Sequence, residues 1–250
     1  MFREYRYAAV ACLALVLAGC ATETPRKFVV NTSPSADDKE VLDGVRMIDS
    51  GQIQAAIDGP LNDVITRYET KYAHSPDRIY SARGPVQGLM YMVTEGDYLG
   101  KNDVPEDRRN AIALGPAWAM AYWARGYAYG EMARYTDAEV EVKKALALSP
   151  NDAQYTGELA YIYQMQKRTE ESLALYTAMP DMIPLMDNWS DTVKNEFFCK
   201  AYRGQGYDLV ELKRYDEAVV AYQACLKVIP DEPKSKAELG YIEGVRGKGH

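Results

Sequence analysis

The sequence predicts an all-α fold built from stacked antiparallel helix hairpins. Three observations carry that expectation. The phrase GYAYGEMARYTDA at residues 126–138 returns as GYDLVELKRYDEA at residues 206–218, with Gly, Tyr, Glu, Arg-Tyr and Ala in register. A small residue followed by tyrosine occurs at 126–127, 160–161, 206–207 and 240–241, at intervals of 34, 46 and 34. Alternating runs of β-branched residues between turn clusters are absent, so no strand is expected.

Taken in order, the chain opens with MFREYRYAAVACLALVLAGC over residues 1–20. Arg3 and Arg6 precede an apolar run from Ala8 to Ala18. That run is too short to span a bilayer as a helix, which takes about 20 apolar residues, but it has the length of a secretory leader. Its end, Leu17-Ala18-Gly19-Cys20, resembles a bacterial lipobox. The resemblance implies cleavage after residue 19 and lipidation of Cys20 with acyl chains such as palmitate. Ala21 in the next position implies the outer membrane. An ordinary leader with a chance cysteine is the alternative. Residues 20–37 are polar with two prolines, and read as a flexible tether.

Residues 38–81 read as a divergent helical hairpin. Val41, Val45 and Ile48 share one helical face, Gly51 breaks the chain, and IQAAIDGPLNDVITRYETKY forms a second helix bent near Gly59-Pro60. Residues 82–118 read as a degenerate copy of the repeat, because NAIALGP at 110–116 matches KALALSP at 144–150. Good copies follow at 119–152 and 199–232, with a weaker one at 153–186. The long interval leaves 187–198 as an insertion and helix extension. A single helix over 233–247 closes the array.

The copies fix a pattern. The first good one carries Gly126, Tyr129, Ala138, Val142, Ala145 and Pro150. Its later counterpart carries Gly206, Leu209, Ala218, Tyr222, Cys225 and Pro230. The weak copy keeps Ala160, Tyr163, Ser172, Tyr176 and Met179. Small residues let paired helices approach, large ones fill the space beside them, and proline ends the second helix. One hairpin cannot bury its own apolar face, so the next must cover it. Period and pattern together resemble the tetratricopeptide repeat. The resemblance implies a right-handed superhelix, an α-solenoid whose first helices line a concave groove.

In that family the groove is lined through positions 2, 5, 9, 12 and 13 of each repeat. Position 9 is Tyr127, Tyr161, Tyr207 and Tyr241, and position 5 supplies Trp123 and Arg203. Tyrosine, tryptophan and arginine are the residues that dominate interface energetics. The alternative is that position 9 packs between neighbouring first helices. The resemblance does not extend to the run of groove lysines and asparagines that clamps a C-terminal carboxylate in chaperone-binding members. Cys199 and Cys225 occupy repeat positions 1 and 27 of one hairpin, where antiparallel helices bring the ends together. They are either a disulfide in an oxidising compartment or, for Cys225, the small core residue that Ala145 is elsewhere.

Composition bounds the function. Hydrophobic residues make 47% and charged residues 26%, which suits a packed core. The formal charge of -7 argues against nucleic acid as partner, since phosphate contacts need a basic excess. The two histidines are His74 and His250, and no HExxH, CxxC, phosphate loop or GxSxG is present. No catalytic site, metal or cofactor is expected. The expected role is a scaffold or adaptor of the bacterial envelope. It would face the periplasm, touch the membrane through its lipid alone, and bind another envelope protein or peptide. Two alternatives stand beside it: a structural homo-oligomer, and an accessory subunit of an envelope enzyme complex with a pocket near Trp189.

Overall fold

The computed structural model describes residues 27–101 and 110–247. The leader over 1–19 and Cys20 lie outside the described residues. From residue 117 onward the chain is a succession of antiparallel hairpins: α5 (Ala117–Glu131) with α6 (Tyr135–Leu148), α7 (Ala153–Met165) with α8 (Thr169–Met182), and α9 (Asp191–Glu211) with α10 (Tyr215–Val228). α11 (Pro233–Gly247) packs on α10. The fold is that of a helical, tetratricopeptide-like stack.

The repeated phrase is explained by the turns. Each hairpin bends at one residue with a positive φ: Ala133 at 56°, Lys167 at 62° and Lys213 at 60°. Three backbone bonds recur around each, for example Arg134 N–H to the Tyr129 carbonyl at 2.9 Å and Arg214 N–H to the Leu209 carbonyl at 2.8 Å. These bonds satisfy carbonyls that the ending helix leaves open. The arginine after each turn pairs with an acid three residues on: Arg134–Asp137 at 2.7 Å, Arg168–Glu171 at 2.5 Å and Arg214–Glu217 at 2.7 Å. Arg134 and Arg168 also lie over the rings of Tyr129 and Tyr163, at 4.4 and 3.8 Å.

Within a pair, the helices touch where one has no side chain. A Cβ on Gly126 would stand 2.6 Å from Val142 Cγ2, and one on Gly206 would stand 2.6 Å from the Tyr222 ring. Val142 and Tyr222 are buried there. A larger residue at either glycine forces the second helix outward.

The N-terminal part, up to residue 114, corrects the sequence reading. Three short strands, β1 (Phe28–Asn31), β2 (Arg78–Ser81) and β3 (Ala111–Leu114), form a parallel sheet in the order β1-β3-β2. The stretch read as a tether therefore contains a strand, and the expected absence of strands does not hold. The degenerate copy at 82–118 is corrected as well. Its first part is α4 (Pro85–Lys101), but the residues matched to the end of α6 are β3. α4 covers one face of the sheet, with Tyr91 and Met92 buried against Tyr80, Ala111 and Ala113. At four residues each, these strands sit at the lower limit of the run that marks a strand in sequence. Ahead of β2, α1 (Ala36–Asp49) pairs with a helix bent in its first turns: α2 (Ile53–Ala56), a π-helical turn (Ile57–Leu61) and α3 (Asn62–Tyr72). The bend falls at Gly59, with φ −104° and ψ −110°, just before Pro60.

The insertion near Trp189 is a clasp. Arg83, just after β2, is buried in an ion pair with Asp152, which caps the start of α7. Its guanidinium lies over the rings of Tyr155 at 4.9 Å and Trp189 at 5.4 Å. Asp187 accepts the Val86 N–H at 3.2 Å, at the start of α4. Ser149, at the end of α6, donates to the Ser81 carbonyl and receives the Tyr91 hydroxyl at 3.3 Å. The sheet is thereby tied to the helical stack by polar contacts, and the buried ones at Arg83 and Ser149 are strong only when every partner is present.

Gly206→Ala is expected to lower stability by about 1–3 kcal/mol, the usual cost of overpacking. Gly240→Ala, in α11, meets nothing within 4 Å and should raise it by about 0.5–1 kcal/mol through helix propensity. Urea melts of the two variants check this, and equal midpoints would contradict it.

Candidate protein-binding groove

First helices α5, α7, α9 and α11 run side by side along one wall of the stack. The tyrosine ladder predicted there divides into two kinds. Tyr161, Tyr207 and Tyr241 are exposed, at 41%, 43% and 55%. Tyr127 is half-buried, and burial raises its hydroxyl above its ordinary pKa, with Glu131 and Asp49 adding to the effect. Asp49 ends α1, so the N-terminal hairpin sits against this end of the wall. Trp123 stacks on Tyr127 at 5.9 Å and on Tyr155 at 6.1 Å.

Three of the six predicted groove residues share one cleft. Tyr161, Arg203 and Tyr207 line a space of about 340 Å³, together with Gln164, Lys200 and Lys234. Trp123 and Tyr127 form a separate stacked pair, and Tyr241 stands outside the cleft on α11. Arg203 is held by Glu232 at 3.3 Å. Lys200 and Lys234 escaped the sequence reading. Each occupies position 2 of its repeat, a groove position, so the spacing that found the tyrosines could have found them.

The wall is electrically uneven. Lys200, Arg203 and Lys234 gather at the cleft, with Glu238 one turn beyond Lys234 on α11. One acid lies beneath the wall, near both Lys200 and Trp123. Glu158 is buried, and burial pushes its carboxyl above the ordinary value against the pull of Lys200 and of the Trp123 indole.

Behind the cleft lies the cysteine pair. Cys199 on α9 and Cys225 on α10 form a disulfide, with Cα atoms 4.4 Å apart. Glu232 approaches Cys225 Sγ at 3.8 Å and accepts the Ser235 N–H at 2.6 Å, capping α11. Burial opposes charge on Glu232, but the Ser235 hydrogen bonds and Arg203 hold its carboxyl below the usual range. Among the described residues, Cys199, Cys225 and Glu232 are a group whose ligand atoms lie close enough to hold a metal. The sulfurs are bonded to each other and the carboxylate caps a helix, so the cluster acts as a brace. It fixes Arg203, and with it the cleft.

Asp208 is a buried acid under the same wall. Gln164 donates to its Oδ1 at 2.9 Å. Burial pushes the Asp208 carboxyl up to about 6, with Glu211 adding and with Ser172 and Gln164 opposing.

Residues 119–152 and 206–232 match the sequence profile of the Tetratricopeptide repeat. No curated protein matches the chain. Similar solved structures include the first TPR of Spaghetti (RPAP3) bound to HSP90 peptide SRMEEVD. It is 19% identical over 52% of this chain and 93% of that one, with a TM-score of 0.44. The MamA RS-1 ArsTM double mutant is 15% identical over 81% of this chain and 99% of that one, with a TM-score of 0.39. Among the described residues, no helix is long and apolar enough to cross a membrane.

Two predictions follow from the brace and the buried acid. Reducing the disulfide, or making Cys199→Ser/Cys225→Ser, should cost about 3 kcal/mol in a urea melt, because a loop of this length loses its constraint in the unfolded chain. An unchanged melt would show that the bridge carries no load. Asp208 is protonated more readily when folded than when unfolded, so its contribution is full below about pH 4 and is lost as pH rises through about 6. Asp208→Asn should therefore flatten the stability profile between those values, and a profile identical to the parent would contradict the assignment.

Proposed function

We propose that the protein is a non-enzymatic scaffold of the bacterial cell envelope that holds a partner polypeptide in the groove of its first helices. Cys20 carries the lipid that fixes it to the outer membrane, facing the periplasm. One observation carries the groove reading. Tyr161 and Tyr207 stand exposed on adjacent first helices, on either side of a cleft that also presents Lys200 and Lys234. Exposed tyrosines offer rigid apolar area and a hydroxyl at low entropic cost. The lysines favour a segment with an acidic side chain among apolar ones. Trp123 and Tyr127, already stacked and half-covered, extend the wall and contribute shape more than free contact area. Repeats of this kind are generally protein-interaction modules, which agrees with a partner of protein chemistry.

The anchor is supported by Leu17-Ala18-Gly19-Cys20 and by the apolar run before it. Mass spectrometry of the membrane-extracted protein should find Cys20 as the first residue, bearing acyl chains.

Crosslinked pull-down from envelope extracts tests the groove. Tyr127→Ala/Tyr161→Ala/Tyr207→Ala should keep the helical circular dichroism of the parent and lose at least about tenfold in captured partner, since hot-spot tyrosines each contribute about 1–2 kcal/mol or more. The same partners captured in the same amounts by a folded triple variant would remove the groove reading.

A further inference from the structure

The cysteine pair sits where the two sides of the cleft are joined. Lys200 and Arg203 line the cleft from α9, and Lys234 and Glu238 line it from α11. α11 is the last described helix and packs on α10, with Ile242 buried. One carboxylate links its start to the rest. Glu232 caps α11 through the Ser235 N–H at 2.6 Å, holds Arg203 at 3.3 Å and lies 3.8 Å from Cys225 Sγ. Cys199 and Cys225 are wholly buried, and Cys199 directly precedes Lys200. Through Glu232 the disulfide therefore bears on both sides of the cleft.

Breaking the bond changes what Glu232 faces. Bonded sulfurs stand about 2 Å apart, whereas non-bonded heavy atoms rest about 3.5–4 Å apart. Two thiols thus need room that a wholly buried site lacks, and forced packing displaces its neighbours. Each thiol also carries a proton to donate, and Glu232 is an acceptor already beside Cys225. A thiol bonded to Glu232 competes with the Ser235 N–H and with Arg203. We propose that the Cys199–Cys225 pair is a redox-sensitive hinge for the cleft. Oxidised, it leaves Glu232 to hold α11 in place. Reduced, its thiols draw Glu232 away, loosen α11 and weaken the hold on a bound polypeptide. The proposal rests on the groove reading above and adds its regulation. The reductant is a protein dithiol. Its first thiolate attacks one cysteine sulfur, the Cys199–Cys225 bond breaks, and the other cysteine leaves and takes a proton. The second thiolate of the dithiol then attacks the first, which closes the reductant's own disulfide and releases the remaining cysteine to take the second proton. Two electrons and two protons pass to the pair. Because both sulfurs are buried, the attack requires α11 to lift, so a polypeptide that holds α11 down protects the bond. Linkage makes the effect reciprocal: the factor by which reduction weakens binding is the factor by which binding opposes reduction.

The test separates the thiols from the loss of the bond. Cys199→Ala/Cys225→Ala has neither bridge nor thiol, and alanine already fills the place of Cys225 at Ala145 in the first good repeat. Three proteins are compared: the oxidised chain, the chain reduced with dithiothreitol under nitrogen, and the double variant. Each carries p-benzoylphenylalanine in place of Tyr207 and is photocrosslinked in envelope extract. The oxidised chain and the variant should give equal adduct, and the reduced chain about tenfold less. Dithiothreitol should leave the variant unchanged. Amide hydrogen exchange on the purified proteins reads α11 without any partner. Its amides should exchange about tenfold faster in the reduced chain than in the variant, while those of α7 exchange alike in these two. Equal adduct from the reduced and oxidised chains would overturn the proposal. So would a variant as loose at α11 as the reduced chain, which would assign the effect to the lost bond instead of to the thiols at Glu232. No adduct in any state, with α11 exchanging as expected, would overturn the groove reading and leave the hinge supported.

Discussion

Two helices can close to backbone contact only where one of them offers no side chain. That constraint governs this molecule. Gly126 admits Val142 and Gly206 admits Tyr222, each at a distance that any Cβ would violate. The close approach shapes these two hairpins, with the small Ala160 at the same place in the third, and in all three a left-handed turn residue with its arginine–acid pair holds the bend. Once hairpins share one geometry they stack in one sense, and their first helices come to form a continuous wall. The exposure of Tyr161 and Tyr207 is a consequence of that stacking, not a local accident.

The helical rhythm was legible because identical residue types do identical jobs. Ala133, Lys167 and Lys213 bend the chain, and Arg134, Arg168 and Arg214 secure the bend, at the same intervals as the tyrosines. The sheet was not legible. NAIALGP and KALALSP are nearly the same letters, yet one is β3 and the other ends α6. Small apolar residues of this kind take whichever backbone their burial requires, since strand preference depends mainly on surroundings. Arg83, Asp152 and Trp189 come from distant parts of the chain, and nothing in their spacing announces that they meet. The site was half-legible. Position 9 pointed to the tyrosines, but only neighbours decide that Tyr127 is covered by Asp49 while Tyr207 is open.

The N-terminal unit and the stack divide the work. The sheet, with α4 over it, holds the first described residues of the chain. The buried contacts of Arg83 and Ser149, with the more exposed one of Asp187, tie it to the helices. The disulfide and Glu232 stiffen the far end, where Arg203 enters the cleft. A wall braced at both ends keeps its curvature while a partner comes and goes, which lowers the ordering cost of binding.

The central claim is that a polypeptide lies against the wall of first helices and nowhere else. Photocrosslinking from single positions in living cells tests it most directly, with p-benzoylphenylalanine replacing Tyr207 on the wall or Val220 on the opposite side. The account predicts a discrete adduct of one partner from position 207 and none from position 220. Adducts from position 220 alone, or the same set from both positions, would contradict it.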